Sequence, residues 1–459
     1  TDLNPLIYPP QEPNERRLRF SSWYYGPQKR FLSSYQWKSR KVFGFDGVNI
    51  SIYHQNIEES RMTRKFGSEI LKSRVEKVYV TGFNSDAIKR WGNNTLRAGF
   101  DGSYQQVFST ATGENVFDPS APVLQISTRY PGGQNVMSSL AVFATHVNKI
   151  SNKFKISEGF RVGLTSLFSE FTDMAYIPLS SLGLRNTIYQ RTPVASGSIG
   201  VIYEKSEFSK HSVSFSTAYR VPNIDDLAKV FDSRPGQLII PNPNLRPEQA
   251  FTAEMGNIQL FKGGHNVEWN IYSTSLRDAL VVLPTQLNGA DSVVFDGDPS
   301  AVLSQSNART ALIMGYSFKS LINLPLSLSL KSQIQGAVGK MRIESQSSMT
   351  HLDHIPPVTA RVGLQFNPSS DFSADLFLVS NSEKSIDRYC LNGEDNAQYA
   401  TPMGTPKWVI WNFAMSYQAT SKWILQLGIY NILDTQYRTF ASGINAPGRN
   451  ITTSIKNSF

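Results

Sequence analysis

Alternation of apolar and polar residues with a period of two is the dominant pattern along this chain. In 210–220, His211, Val213, Phe215, Thr217 and Tyr219 oppose Ser212, Ser214, Ser216, Ala218 and Arg220. Val267, Trp269 and Ile271 alternate with Glu268, Asn270 and Tyr272, and Trp411, Phe413 and Met415 with Asn412, Ala414 and Ser416. Successive side chains of a strand point to opposite faces, so each segment predicts a strand with one apolar and one polar side. Candidate strands fall at 29–39, 45–56, 73–85, 93–107, 135–147, 153–165, 195–205, 210–220 and 250–260. They continue at 265–277, 308–321, 326–340, 358–367, 371–381, 407–417, 422–430 and 449–459, with a weaker segment near 16–23. No helical periodicity intervenes.

The spaces between these segments sort by length. Short connections include 148–152, 206–209, 261–264, 322–325, 368–370 and 418–421; long ones include 108–134, 166–194, 221–249, 278–307, 341–357, 382–406 and 431–448. A soluble sandwich has no reason to sort its loops this way, whereas short turns on one rim and long loops on the other are the pattern of an outer-membrane barrel. The predicted fold is therefore all-β, a transmembrane antiparallel β-barrel. The last segment, with Ile451, Thr453, Ile455, Asn457 and Phe459 on one face, predicts a closing strand.

Composition agrees with a wall that meets lipid. Aromatic residues make up 12% of the 459 residues and charged residues only 18%, below the quarter or so usual for soluble domains. No run of about 18 apolar residues occurs, which excludes a conventional membrane-spanning helix. The formal net charge is +9, but the bases are scattered and no nucleic-acid motif accompanies them, so they read as a solvated surface and a polar lumen. One cysteine, Cys390, rules out an internal disulfide. No Gly-x-Ser-x-Gly, His-Glu-x-x-His or P-loop pattern appears, and the sequence predicts no enzyme.

Two motifs in fixed order carry a family resemblance. Tyr219-Arg220-Val221-Pro222 is followed by Asn242-Pro243-Asn244-Leu245-Arg246-Pro247-Glu248, then Glu254 and Gly256. Near the end stand Asn431-Ile432-Leu433-Asp434, Tyr437-Arg438, Pro447-Gly448-Arg449 and Phe459. Together they resemble TonB-dependent outer-membrane receptors, from about residue 15 onward. Asp225-Asp226-Leu227, Gly393-Glu394-Asp395-Asn396 and Gln398-Tyr399 resemble more closely the haem and haemoglobin receptors of Bacteroidota.

The resemblance implies a multi-pass protein of the bacterial outer membrane that imports a scarce iron-bearing ligand, haem or haemoprotein before a ferric siderophore. A TonB energy-transducing complex would drive it, and a surface lipoprotein or haemoprotein would be a further partner beside the membrane lipids. Haem or chelated iron would be cargo, with no cofactor required. Family barrels have about 22 strands around a plugged lumen, against roughly 17 or 18 readable here. The expectation is a single barrel over 1–459, lacking its plug and first strands. A passive porin or structural barrel is the competing reading.

Haem receptors of this kind often place a His between the two motifs, but the interval Asn223–Pro241 contains none. His351-Leu352-Asp353-His354 is the best substitute, because two imidazoles three residues apart can share a metal or hold haem. The plainer reading is exposed loop polar groups. Tyr219, Arg220, Asn242, Pro243, Asn244 and Leu245 are the other expected ligand-binding residues, carried over from the resemblance. Asp225 and Asp226, read as neighbours in an extended segment, would point to opposite faces. Glu58, Glu59, Arg61, Arg64 and Lys65 read as a charge cluster in a loop, either a solvated ion-pair surface or a patch for a protein partner.

Overall fold

The computed structural model describes residues 20–172, 186–229, 236–295, 298–343, 349–390 and 400–458. Among these residues one sheet takes in 22 strand segments. Five are short additions, Phe20–Tyr25, Leu124–Gln125, Gln237–Ile240, Ser292–Phe295 and Met349–His351; the other seventeen form the wall. The wall starts with Lys29–Val42, Phe45–Lys65, Ile70–Trp91 and Asn94–Asn115, each antiparallel to the next. Asn135–Lys149, Phe154–Glu170, Thr187–Ser206 and Ser209–Arg220 continue it. Glu248–Leu260, Asn266–Pro284, Asp298–Leu324 and Leu328–Arg342 follow. Thr359–Ser369, Phe372–Asn381, Trp408–Gln418, Trp423–Tyr430 and Asn450–Asn457 complete the order. Every wall strand thus neighbours the strands before and after it in sequence, an up-and-down meander.

Register explains the alternation. Val142 lies opposite Val162, Ile199 opposite Phe215, Val213 opposite Val201 and Met255, and Met255 opposite Ile271. All of these side chains are exposed, so one face carries a continuous apolar band suited to lipid. The opposite parity is polar: Ser103 and Ser139 share a hydrogen bond of 3.0 Å, and Arg161 donates to Asp101 at 2.7 Å and to Tyr219 at 3.3 Å. Two ladder positions show why glycine recurs in the wall. Gly82 pairs with Tyr53 and Gly315 with Tyr272, and a Cβ on either glycine would come within 2.4 Å of the facing tyrosine. The ring lies over the glycine and packs where a side chain would stand.

Strands overshoot the predicted boundaries on the long-loop side. Phe45–Lys65 contains Glu58, Glu59, Arg61, Arg64 and Lys65, which places that charge cluster on a strand rather than in a loop. Glu58 pairs across the sheet with Lys29 at 2.7 Å and Lys77 at 3.5 Å; cross-strand charge pairing, which a single-chain pattern does not show, extends the ladder there. Phe20–Tyr25 pairs with the far half of the same strand, so the weak segment near 16–23 prolongs Lys29–Val42 beyond a break at Gly26-Pro27-Gln28. Residues 1–19 and Phe459 lie outside the described residues. Among those described, no ladder joins Lys29–Val42 to Asn450–Asn457, and both strands are exposed along nearly their whole length.

Candidate ligand site at the long-loop rim

The first motif ends a wall strand and starts a helical turn. Val221-Pro222 cannot continue the ladder, since proline lacks a donor, and Asn223 then caps the short helix Ile224–Leu227. The Asn223 side chain accepts from the backbone N–H of Asp225 and Asp226, and the Asp226 carboxylate accepts in return from the Asn223 N–H at 3.0 Å. This reciprocal capping box satisfies donors a helix start leaves open. It also corrects the extended reading of Asp225 and Asp226: the two lie on a turn, and their carboxylates serve different partners.

Asp226 is buried and takes both hydrogen bonds of Arg220, at 2.7 and 2.9 Å. Asp225 accepts from the Tyr130 hydroxyl at 2.9 Å, and from Arg129 and Lys229 at 3.4 Å each. Burial, reinforced by the Asp225 charge, raises the Tyr130 hydroxyl above its ordinary pKa. Burial likewise lowers Lys229 below the usual ammonium range, against the opposing pull of Asp225. Leu227 and Ala228 have no exposed surface and pack with Leu167, Phe171, Ile188 and Leu245. The helical turn is therefore seated on the barrel rim through an apolar contact ringed by charged hydrogen bonds.

The second motif closes on the first. Gln237–Ile240 runs parallel to Ala301–Ser304, beside a buried cluster of Leu238, Ile240, Leu287, Phe295 and Val302. The Asn242 N–H then reaches the Leu227 carbonyl at 3.2 Å, its amide donates to the Gln305 carbonyl at 2.9 Å, and its side-chain oxygen accepts from the Asn244 N–H at 3.0 Å. The Gln190 amide donates to the carbonyls of Pro243 at 2.7 Å and Leu245 at 3.0 Å. Arg220, Asn242, Pro243, Asn244 and Leu245 are thus brought into one assembly, and Tyr219 contacts Arg161 beside it.

His351 and His354 occupy a different loop. His351 ends the short strand Met349–His351, which pairs with Lys340–Arg342. His354 has a left-handed φ of 58° and its Nδ1 lies 3.1 Å from the Asp353 carboxylate. Among the described residues no group of three or more His, Cys, Asp and Glu is arranged to hold a metal. Lys384, buried in the next loop, donates to the Ile355 carbonyl at 2.9 Å and sits 4.7 Å from the Phe440 ring centre. That single ammonium ties together three long loops. Cys390 is buried nearby in sequence and forms no disulfide, and Gly393, Glu394, Asp395, Asn396, Gln398 and Tyr399 fall outside the described residues. The final motif anchors the last loop: Asn431 donates to the carbonyls of Thr435 at 2.8 Å and Pro447 at 3.3 Å, and Asp434 accepts from the Arg449 N–H at 2.7 Å.

Arg129, Tyr130, Gln190 and Lys384 carry no motif mark. Their partners stand far away in sequence, about 95 residues in the case of Tyr130 and Asp225, so no local spacing could single them out.

Residues 2–432 match the family model described as TonB dependent receptor-like, beta-barrel. The chain belongs to this family. As a TonB-dependent receptor-like barrel it belongs to a family of outer-membrane receptors. It is 23% identical over 262 residues to the probable hemoglobin and hemoglobin-haptoglobin-binding protein 4 of Haemophilus influenzae, over 54% of this chain and 25% of that protein. Transferrin-binding protein A of Neisseria meningitidis serogroup B is 25% identical over 303 residues, 58% of this chain and 32% of the relative. These matches span about a quarter to a third of the length of those relatives. Among solved structures, the copper transporter OprC superposes with a TM-score of 0.77 at 15% identity, over 97% of this chain and 67% of that one. The Serratia marcescens hemophore receptor HasR, solved as a double mutant with its hemophore HasA and heme, gives 0.68 at 12% identity, over 95% and 66%. Similarity at that level establishes the receptor-barrel fold.

Proposed function

We propose that this protein is an active-transport receptor that captures an iron-bearing ligand, haem or a haemoprotein before a ferric siderophore, at its long-loop rim and imports it with energy supplied through TonB. The supporting observation is the asymmetry of the two rims. On the long-loop side, loops fold back onto the barrel and are locked by charged groups: buried Asp226 to Arg220, partly exposed Asp225 to Tyr130, and buried Lys384 to Ile355. Loops held in this way are preorganised to recognise a ligand, since the ordering cost is met in folding rather than on binding. A passive pore has no need of such anchoring. Similarity to relatives named for binding haemoglobin or transferrin supports the reading of an iron-bearing ligand.

In this reading Tyr219, Arg220, Asn242, Pro243, Asn244 and Leu245 set the loop geometry around the ligand. His351 and His354 are the nitrogen donors that meet the iron. The two exposed wall edges belong to a barrel completed by further strands, because an open edge cannot be left in lipid, with a plug domain filling the lumen.

The binding step is tested by titrating haem, and separately a ferric siderophore, into the intact protein while recording absorption spectra. The expected result is a haem spectrum of nitrogen ligation, lost in the His351→Ala/His354→Ala variant. A spectrum unchanged by the double substitution removes these residues as ligands; binding of the siderophore alone moves the ligand class away from haem.

A further inference from the structure

The short-turn rim has a chemistry of its own, unlike either the wall or the long loops. At turn after turn an exposed lysine stands beside an exposed apolar residue: Lys41 with Phe43, Lys149 with Ile150, Lys205 with Phe208, and Lys262 with Phe261. Phe43 is 84% exposed and Ile150 58%, so neither side chain is packed against the protein. Lys153 adds a further ammonium on the turn that also carries Ile150. None of these five lysines takes part in an ion pair among the described residues, whereas Lys155 and Lys210 both share Glu204. Between the turns of Lys41 and Lys149, the turn Gly92-Asn93 follows Lys89, Arg90 and the exposed Trp91. Beyond Lys262, the turns at 325–327 and 370–371 carry no base, and the second carries Asp371, whereas the turn at 419–422 again sets Lys422 beside the exposed Trp423.

We infer that this arc of turns is a binding surface for anionic phospholipid headgroups of the periplasmic leaflet, which deepens the reading of the protein as an outer-membrane receptor and rests on it for the side the short turns face. The arc is continuous with the lipid-facing band, since Phe208 leads through the strand Ser209–Arg220 to Val213 and Phe215. An aromatic or branched side chain at the end of a lipid-facing strand sits at the boundary between headgroups and acyl chains. An ammonium one to three residues away then stands at the depth of the lipid phosphates, where it neutralises negative surface charge. An acidic protein partner would use the lysines, but it would leave the apolar member of each pair exposed; a phospholipid satisfies both. The two successive turns without a base, at 325–327 and 370–371, distinguish the arc from a uniform interfacial girdle and favour bound lipid over general surface attraction.

The test uses the intact protein purified from outer membranes, exchanged into detergent and supplied with phosphatidylglycerol, phosphatidylcholine or lipopolysaccharide, with retained lipid counted by native mass spectrometry. The expected result is preferential retention of phosphatidylglycerol over phosphatidylcholine, reduced at least about fivefold when Lys41, Lys149, Lys153, Lys205 and Lys262 are replaced by Gln. Replacement of the same five by Arg should retain it. Heat-modifiable migration of each variant on gels reports whether the barrel is folded. Equal retention of the two phospholipids, undiminished retention in the folded Gln variant, or preference only for lipopolysaccharide overturns the inference. Ligand titration at the opposite rim is read separately, so the failure of one leaves the other standing.

Discussion

Asp226 is the residue on which the first long-loop anchor depends most. Its carboxylate is 3% exposed, takes two hydrogen bonds from Arg220 and caps the helix start at Asn223. Asp226→Ala would leave Arg220 without its partner and the Asn223 N–H unsatisfied. A local loss of about 2–3 kcal/mol is expected, at the lower end for a broken buried pair because Arg220 is half exposed. Limited trypsin digestion reads it as cleavage at Lys229 at least ~10-fold faster than in the wild type; an unchanged rate would contradict the anchoring role. Lys229 supplies the matching pH dependence. Burial lowers its pKa in the folded protein below 10.5, so the unfolded state binds more protons and wild-type stability rises as pH climbs toward 10.5. The difference in thermal stability between Lys229→Met and wild type should accordingly move in the wild type's favour between pH 8 and 10. A difference independent of pH would mean that Lys229 is not buried as an ammonium.

Strands were largely legible because alternation is a local signal and lipid demands it on one face. The segment 422–430 is observed as Trp423–Tyr430 and 371–381 as Phe372–Asn381. Where the chain leaves the membrane, alternation no longer has to hold, and there the pattern fell short: 308–321 is observed as Asp298–Leu324 and 45–56 as Phe45–Lys65. The parallel strand Gln237–Ile240 and the helical turn at Ile224–Leu227 were missed for a related reason, as each is too short for a period and is fixed by distant partners. The motifs located the loop that matters, yet Tyr130 and Gln190, which hold it, carry no local mark. At this scale the paired Gly315 and Tyr272 make a direct prediction. Gly315→Val would drive a side chain into the Tyr272 ring, at a cost of about 1–3 kcal/mol. Gly47→Val meets only a carbonyl at 3.8 Å and should be tolerated. Unfolding midpoints in denaturant compare the two, and equal midpoints would show that the ring yields freely.

For the whole molecule, a wall of antiparallel strands carries two unlike rims. One presents anchored loops, charge pairs each with one buried partner and the exposed His354; the other presents short turns with lysine and apolar side chains. Exposed strands at Lys29–Val42 and Asn450–Asn457 predict that the barrel in the membrane contains further strands between them. Cysteines placed at Ser33 and Thr453 in the intact protein should fail to form a disulfide under mild oxidation, because the two positions are held apart; efficient crosslinking would mean that these edges meet directly. Import by this receptor requires energy as well as binding, and cellular uptake tests that most directly. Cells with haem as the sole iron source, and this protein as the sole route for it, should accumulate iron-labelled haem, and accumulation should stop when TonB is deleted or the proton-motive force is collapsed. Haem entry that continues undiminished without TonB would contradict the account.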